Sequence, residues 1–290
     1  MSKQNIDLHC HTTASDGKLA PKELISLALE KRLKAIAITD HDTVNGIDEA
    51  LKAAKGKDIE IISGVEISCD DSGFIDTHIL GLFINHKSKA ITNILKKSKR
   101  YRKMQKISII KKFQKLGFRI KYKEVKALAK GEIGRPHIAS VILKNNPEKV
   151  SSADEIFDKY LGVGKKAYVK SRHKISVKEA IKTVHSANGF VFIAHPGVYT
   201  NFNINDFIDY FIKNDGDGLE TIHDYKKARP NAIRAKRNRL IRKFRGIAKK
   251  HKLLESGGSD FHGNEGEILG NFKIPYSILK NLKKNQDKFK

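Results

Sequence analysis

Two histidines at the end of the first apolar segment have the spacing of a metal-binding pair. His9 and His11 follow residues 6–8, a short apolar run that predicts a β-strand. Residues two apart in a strand point to the same side of it, so both imidazoles are expected to face one site. Imidazole nitrogen is a common ligand of divalent transition metals. Cys10 points to the opposite side, and we interpret it as a packing residue.

Further histidines and carboxylates stand at or near the ends of other predicted strands. These residues are Asp16, His41, Glu66, His78, His195, Asp260 and His262. In a barrel of parallel strands the C-terminal strand ends meet on one face, which is where active sites lie. Any one of these histidines could be an ordinary hydrogen-bonded residue. Because all of them stand at or near strand ends, a single shared site is favoured instead.

Such a cluster predicts bound cations, because burying so many polar and charged groups without them is costly. The number of ligands exceeds what one ion needs and suits two or three. Mixed imidazole and carboxylate ligands favour Mn²⁺, with Fe²⁺ or Zn²⁺ as alternatives, over a dedicated Mg²⁺ or Ca²⁺ site. Clustered ions generate a nucleophile from water near neutral pH and hold phosphoryl oxygens during an in-line displacement. The expected chemistry is therefore hydrolysis of a phosphoester.

Strand and helix signals alternate at both ends of the chain. Strands are predicted at residues 6–8, 35–39, 59–67, 77–84, 190–194, 218–222 and 253–256, and helices at 21–32, 46–54, 177–187, 205–213 and 231–250. This alternation predicts a parallel, barrel-like α/β fold. Residues 93–174 show mostly helical patterns instead. We therefore predict a barrel domain of residues 1–92 and 175–290, with residues 93–174 inserted as a small helical cap domain.

The chain is strongly basic, and the charge is concentrated. The formal net charge is +25, with 57 Lys and Arg against 32 Asp and Glu. Residues 96–126 contain one acidic residue, residues 226–252 contain none, and both stretches predict amphipathic helices with a polar face of one sign. Like charges one turn apart destabilise a helix, so an anionic partner is favoured over a merely solvated face. Nucleic acid is the expected partner, and the basic tail 280–290 adds to this unless it is disordered.

Other classes of protein are excluded by composition. The longest apolar runs are strand-sized, well below the ~18 residues of a membrane-spanning helix, and the N-terminus lacks the apolar core of a signal peptide. Two cysteines, Cys10 and Cys69, do not make a disulfide framework. With 39% hydrophobic residues the chain can build a core. We expect a cytoplasmic globular protein, with no membrane association and no predicted protein partner.

Taken together in order along the chain, the motifs resemble those of a known superfamily. DLHCHTTASDG, ITDHD, GVEIS, the His78 segment, AHPG and GSDFHG resemble the PHP (polymerase and histidinol phosphatase) superfamily of metal-dependent phosphoesterases. Within it, residues 134–139 (GRPHIA) and 151–169 are similar to the inserted segment of RNase AM and of nucleoside 3′,5′-bisphosphate phosphatases. The resemblance implies a distorted (β/α)₇ barrel with an inserted helical domain.

The resemblance also implies roles for individual residues. One ion would be held by His9, His11, Glu66 and Asp260, a second by Glu66, His78 and His195 with Glu66 bridging, and a third by Asp16, His41 and His262. Glu66, Asp260 and His195 are the implied catalytic residues. Arg135 and His137 are expected to contact substrate phosphate, although Arg135 could instead form an ion pair at a helix start. Asp40 is expected to orient His41 or a loop amide.

Five histidines are left outside the predicted site. His223 lies in the segment LETIHDY, where the resemblance implies no ligand. The others have no motif around them and are interpreted as ordinary residues: His86, His173, His185 and His251.

The implied activity is a single chemistry on two substrates. We expect a 5′-to-3′ exoribonuclease on single-stranded, 5′-phosphorylated RNA that releases nucleoside 5′-monophosphates and also removes the 3′-phosphate of nucleoside 3′,5′-bisphosphates. The net charge of +25 favours RNA as the larger substrate. Alternatives are a dedicated phosphatase of nucleoside bisphosphates or of histidinol phosphate, or a nucleic-acid-binding module with a degenerate site. A polymerase-associated exonuclease is disfavoured, because 290 residues leave no room for a polymerase.

Overall fold

The computed structural model describes residues 5–71, 73–129, 133–162, 164–169, 175–225, 233–270 and 272–286. The chain forms two compact units. The first comprises Met1–Leu95 and Ile175–Lys290, and the second comprises Lys96–Lys174. In the described part, no helix is both long enough and apolar enough to cross a bilayer.

The first unit is built on one sheet of eight strands. The strands are β1 (Asn5–Cys10), β2 (Leu33–Ile38), β3 (Glu60–Asp71), β4 (Phe74–Leu82), β5 (Phe190–Ile193), β6 (Gly218–His223), β7 (Leu254–Gly258) and β8 (Ile274–Pro275). They follow the order β7-β6-β5-β4-β3-β2-β1-β8. The His11 N–H donates to the carbonyl oxygen of Phe261 at 2.8 Å, which joins the end of β1 to the segment after β7. The sheet therefore nearly closes into a barrel, and the predicted α/β barrel class is confirmed.

One strand departs from the predicted parallel arrangement. β4 runs antiparallel to both β3 and β5, whereas the other neighbours among β1–β7 are parallel. Asp71 pairs with Phe74 across a tight turn, and so short a connection cannot make the crossover that parallel strands need. The reversal places His78, in the middle of β4, beside Ser68, beyond the level at which β2 ends. His78 thus reaches the same end of the barrel as the C-terminal ends of the parallel strands.

Six helices of the first unit surround or close the sheet. They are α1 (Pro21–Glu30), α2 (Ile47–Ala54), α7 (Val177–His185), α8 (Ile204–Lys213), α9 (Ile233–Lys250) and α10 (Ser277–Asn285). Cys10 is fully buried in a cluster with Leu24 and Ile25 of α1, which agrees with its interpretation as a packing residue. Phe244 and Ala248 of α9 are buried with residues of β5, α7 and α8.

The C-terminal basic segment is a helix with a buried apolar side. Ile278, Leu279 and Leu282 of α10 join a cluster that includes buried residues of seven strands. The alternative of a disordered tail is therefore wrong for residues 280–286, because the apolar spacing of α10 gives it a face to bury. Residues 287–290 lie outside the described part of the chain.

The second unit has a core of its own. It contains most of α3 (Lys89–Lys115), which begins in the first unit, and α4 (Tyr122–Leu128), α5 (Arg135–Asn145) and α6 (Ala153–Ile156), which continues as a π-helical turn. Phe113, Val125, Ile138 and Ile142 are buried together. The described residues of this unit form no strand, in keeping with the helical patterns of the sequence. That the unit acts as a cap stays a prediction.

Gly246→Ala is expected to stabilise the protein by about 0.5–1 kcal/mol, because glycine in a helix interior loses more backbone entropy than alanine. A β-carbon at Gly246 would have nothing within 4 Å. Urea denaturation measures the change. The control is Gly258→Ala, whose β-carbon would lie 2.1 Å from Cβ of His9 and should destabilise the fold. A loss of stability in Gly246→Ala would contradict the prediction.

Candidate metal centre

The nine predicted metal ligands all belong to the first unit and converge at one end of its sheet. His9 lies in β1, and His11 and Asp16 follow β1. His41 follows β2, Glu66 lies in β3, His78 in β4, and His195 follows β5. Asp260 and His262 follow β7. The nine residues thus come from six chain segments that only the closing of the barrel brings together.

Glu66 is the centre of the cluster and is fully buried. Its Oε1 lies 2.9 Å from Nδ1 of His78 and 2.9 Å from Nε2 of His195. Its Oε2 lies 3.0 Å from Nδ1 of His41, 3.2 Å from Nε2 of His11 and 3.3 Å from Nε2 of His9. One carboxylate therefore contacts five imidazoles and can serve ions on both sides.

Three groups of side chains could each hold an ion. They are His9, His11, Glu66 and Asp260; His41, Glu66 and His78; and His11, Asp16, His41 and His262. Within each group the ligand atoms lie within 4.8 Å of one another. The first group has the membership of the first predicted set.

The other two groups differ from the predicted sets by one residue each. In the group around His78 and Glu66, His41 takes the place of the predicted His195. His195 is nevertheless adjacent, with its Nε2 at 3.3 Å from Nδ1 of His78. The third group adds His11 to its predicted members. Which residues share which ion therefore stays a prediction.

The donors fit a cation because several of them are buried without a hydrogen-bond partner. Such atoms include Nε2 of His9, both ring nitrogens of His11, Nδ1 of His41, Oε2 of Glu66 and Oδ1 of Asp16. Leaving a buried polar atom unsatisfied costs ~1–3 kcal/mol, and more when the group is charged. Imidazole nitrogens and carboxylate oxygens within 4.8 Å of one another are a set of donors that suits Mn²⁺, Fe²⁺ or Zn²⁺.

The electrostatics of the cluster favour positive charge. Burial disfavours the charged form of Glu66, but the surrounding imidazoles outweigh burial and hold its pKa well below the usual value. Burial likewise disfavours imidazolium at His11, yet Asp260 and Glu66 raise its pKa to about 10. When no metal is present, these carboxylates favour protonation of the His11 imidazole. A metal ion and protons therefore compete for the same imidazole nitrogens.

Glu220 of β6 is a central residue that the sequence reasoning missed. It is fully buried, and its Oε1 lies 3.0 Å from Nδ1 of His9. Its Oε2 accepts the backbone N–H of His195 at 2.6 Å. His195 has a φ of 32°, in the left-handed region that a non-glycine residue adopts only when its surroundings enforce it. A carboxylate inside a predicted strand, directly after Leu219, was the signal in the sequence.

The neighbours of Glu220 explain its charge. Burial opposes ionisation, but His9 and His223 outweigh it and lower the pKa of Glu220 to about 2. His223 is buried with its Nδ1 3.5 Å from Oε2 of Glu220. His223 therefore lies behind the cluster, beside Glu220, and belongs to none of the three ligand groups.

Asp40 organises the loop that follows β1. Its Oδ1 accepts the Thr12 N–H at 2.7 Å and the Ser15 hydroxyl at 2.6 Å, and its Oδ2 accepts the Thr12 hydroxyl at 2.7 Å. Of the two roles expected for Asp40, the structure shows the hydrogen bond to a loop amide. This loop carries Asp16, so Asp40 fixes the path of the chain to that ligand.

The two predicted phosphate contacts lie in the second unit. Arg135 is the first residue of α5, and its guanidinium lies 5.6 Å from the ring centroid of Tyr168. Nδ1 of His137 accepts the N–H of Gly134 at 2.9 Å. Both residues therefore stand in the first turn of a helix, where exposed N–H groups favour anions.

Two of the histidines interpreted as ordinary pair with carboxylates outside the cluster. Nε2 of His86 lies 2.9 Å from Asp48, and Nε2 of His185 lies 2.8 Å from Asp217. His173 lies outside the described residues.

The chain is similar to known proteins along most of its length. The family profile described as "PHP domain" matches residues 7–170. A 5′-3′ exoribonuclease of Haemophilus influenzae is 40% identical over 88% of this chain and 89% of its own length. A 3′,5′-nucleoside bisphosphate phosphatase of Chromobacterium violaceum is 30% identical over 92% of this chain and 90% of its own length.

Among solved structures, a proposed metal-dependent phosphoesterase from Bifidobacterium adolescentis has a TM-score of 0.81 and 27% sequence identity. The match covers 96% of this chain and 95% of that protein. The family profile covers more than half of the chain, and the relatives cover nearly all of it. The chain therefore belongs to the PHP domain family.

Proposed function

We propose that this chain is a metal-dependent 5′-to-3′ exoribonuclease that also removes the 3′-phosphate from nucleoside 3′,5′-bisphosphates. The observation that carries the proposal is the convergence of eight predicted ligands around a ninth, the buried Glu66. The similarity of the chain to relatives named for these two activities supports the choice of substrates.

The metal centre would hold two or three divalent ions, and we propose Mn²⁺, with Fe²⁺ or Zn²⁺ as alternatives. The residues that would hold them are His9, His11, Asp16, His41, Glu66, His78, His195, Asp260 and His262. Bound ions supply an activated water and neutralise the charge of the phosphoryl group. Glu66, Asp260 and His195 are the proposed catalytic residues. Each would bind an ion, and that ion would position the group that reacts.

The same bond is presented in both substrates. In a 3′,5′-bisphosphate the scissile phosphoester is attached at the 3′ oxygen, and the first internucleotide link of RNA is attached there as well. We propose that Arg135 and His137 contact a phosphate group of either substrate. The fork of Arg135 suits a phosphate group, and its place in the first turn of α5 supports this role. We propose the cytoplasm as the site of action, in keeping with Cys10 and Cys69, which are buried and are not joined in a disulfide.

The test compares two substrates with the purified protein in Mn²⁺. Adenosine 3′,5′-bisphosphate is expected to release phosphate, and a 5′-phosphorylated, 3′-labelled RNA is expected to shorten stepwise from its 5′ end. Phosphate release with the RNA left intact would restrict the protein to nucleotide clearance. Faster turnover of histidinol phosphate than of either substrate would favour that phosphatase. A metal content near zero with no hydrolysis would favour a binding module.

A further inference from the structure

We propose that the outward face of α9 binds the sugar-phosphate backbone of the RNA, downstream of the nucleotide that occupies the metal centre. This inference rests on the proposed exoribonuclease function and assigns a surface to its long substrate. The face consists of Arg239, Arg242, Lys243, Lys249 and Lys250, which we call the α9 basic face.

The spacing of these residues puts them on one side of the helix. Relative to Arg239 they stand 3, 4, 10 and 11 residues further on, and position 7 of the same row is Gly246. All five side chains are exposed, as is Gly246. The opposite side of α9 carries Phe244 and Ala248, which are buried in the core. The basic face is therefore held rigidly against the barrel, with its charges directed outward.

Charge on this helix is of one sign only. Ile233–Lys250 contains no acidic residue, whereas α1, α2, α7 and α8 on the same unit all carry Asp or Glu. Two basic residues of α9 form ion pairs with residues outside the helix. Arg237 pairs with Asp224 at 3.3 Å, and Arg245 pairs with Glu255 at 2.9 Å. Among the described residues, Arg239, Arg242, Lys249 and Lys250 form no ion pair.

This arrangement favours an anionic partner. Arg239 and Lys243 are four residues apart, and Arg239 and Arg242 are three apart, so each pair repels across one turn. A row of phosphates removes that repulsion and releases the counterions condensed on the nucleic acid. Single-stranded RNA supplies such a row, and a positively charged surface can track its backbone.

The basic face begins beside the metal centre. Arg237, two residues before Arg239, pairs with Asp224, which directly follows His223 at the C-terminal end of β6. Near the same end, the side chain of Leu240 comes within 3.1 Å of where a β-carbon on Gly197 would lie, and Gly197 follows His195 by two residues. From there α9 leads back toward the start of β7, since Leu254 follows Lys250 after a short turn.

The length of the face suits several nucleotides. Eleven residues separate Arg239 from Lys250, which at ~1.5 Å per residue is about 17 Å. RNA whose 5′ nucleotide sits in the metal centre can therefore lay its next nucleotides along α9. A nucleoside bisphosphate is too short to reach most of this face.

The experiment compares two double variants that each remove two positive charges. Arg242→Gln with Lys249→Gln alters the α9 basic face. Lys280→Gln with Lys284→Gln is the control, because both lysines are exposed on α10. The helix α10 packs near the beginnings of the strands, where Lys283 pairs with Glu60 at the start of β3. The control charges are thus at the opposite end of the barrel from the metal centre.

Binding of a 5′-phosphorylated decamer RNA is measured by fluorescence anisotropy in chelator, over a series of salt concentrations. The α9 double variant is expected to bind about tenfold more weakly at low salt, and its plot of log affinity against log salt should flatten by about 1.4, from ~0.7 per lost phosphate contact. The control should change less than twofold. Hydrolysis of the decamer in Mn²⁺ should follow binding, whereas hydrolysis of a dinucleotide should not change.

The outcomes separate this proposal from the proposed function. Equal weakening by both double variants would show a general effect of net charge and overturn the α9 assignment, as would wild-type protein that does not bind the decamer. Wild-type protein that binds the decamer but never shortens it would overturn the exoribonuclease. In that case the binding series still decides whether α9 is the RNA surface.

Discussion

Glu66→Ala is expected to abolish metal-dependent hydrolysis of both RNA and nucleoside bisphosphate. Glu66 is the residue whose two oxygens contact five imidazoles of the cluster, at 2.9–3.3 Å. Removing it takes away the negative charge that would hold neighbouring ions together. Loss of the ions forfeits several kcal/mol of transition-state stabilisation, so the turnover rate should fall by about three orders of magnitude or more.

Metal content provides a readout for Glu66→Ala that is independent of turnover. Elemental analysis should find fewer ions per chain than in the wild type, at matched Mn²⁺ in the dialysis buffer. Asp48→Asn is the matched control, because Asp48 is an exposed carboxylate whose partners, His86 and Lys87, lie outside the cluster. The control should keep wild-type metal content and turnover. Retained turnover in Glu66→Ala would contradict the bridging role.

Glu220→Gln is expected to weaken metal binding by about 10–100-fold, the usual effect of losing a carboxylate that orients a ligating histidine. When Nε2 of His9 faces an ion, its Nδ1 carries the proton and donates to Glu220. The backbone N–H of His195 is also a donor. Glu220 therefore has to accept at both oxygens. A glutamine has one acceptor oxygen and one donor nitrogen, so it can satisfy only one of the two partners.

The measurement for Glu220→Gln is a Mn²⁺ titration followed by two signals, turnover and the rise in thermal midpoint on metal binding. For both signals, the Mn²⁺ concentration that gives half of the full change should rise. Excess Mn²⁺ should restore much of the turnover, because the ligands themselves remain. Glu255→Gln is the control: Glu255 bonds Thr221 and Arg245, away from the cluster. An unchanged Mn²⁺ dependence in Glu220→Gln, with or without loss of stability, would mean that Glu220 has no positioning role.

The types of the ligands and their order along the chain could be predicted from the sequence, because each motif is local. His9 and His11 are two apart in a strand whatever the rest of the chain does, and their shared direction follows from strand geometry. His41 after β2 and His195 after β5 could be placed in the same way, since apolar strand runs ending in a polar residue are visible in the sequence. The helical nature of residues 93–174 was likewise a matter of local periodicity.

Long-range pairing could not be predicted in this way. Glu220 is 211 residues from His9 in the chain, and nothing near it in the sequence indicates that its two oxygens serve two different ligands. The helix α10 shows the same limit: its lysines suggested a basic tail, while its buried Leu279 and Leu282 reflect a surface that exists only after the strands have assembled.

The sequence by itself therefore determined the set of predicted metal ligands, the α/β class and the basic helices, because these depend on side-chain chemistry and local periodicity. The tertiary structure alone decided that β4 runs antiparallel and so carries His78 to the ligand end of the barrel. It also decided that Glu66 lies at the centre of the cluster and that Glu220 lies behind it. The physical reason is that strand direction and distant contacts are set by how the whole sheet closes, which no short segment encodes.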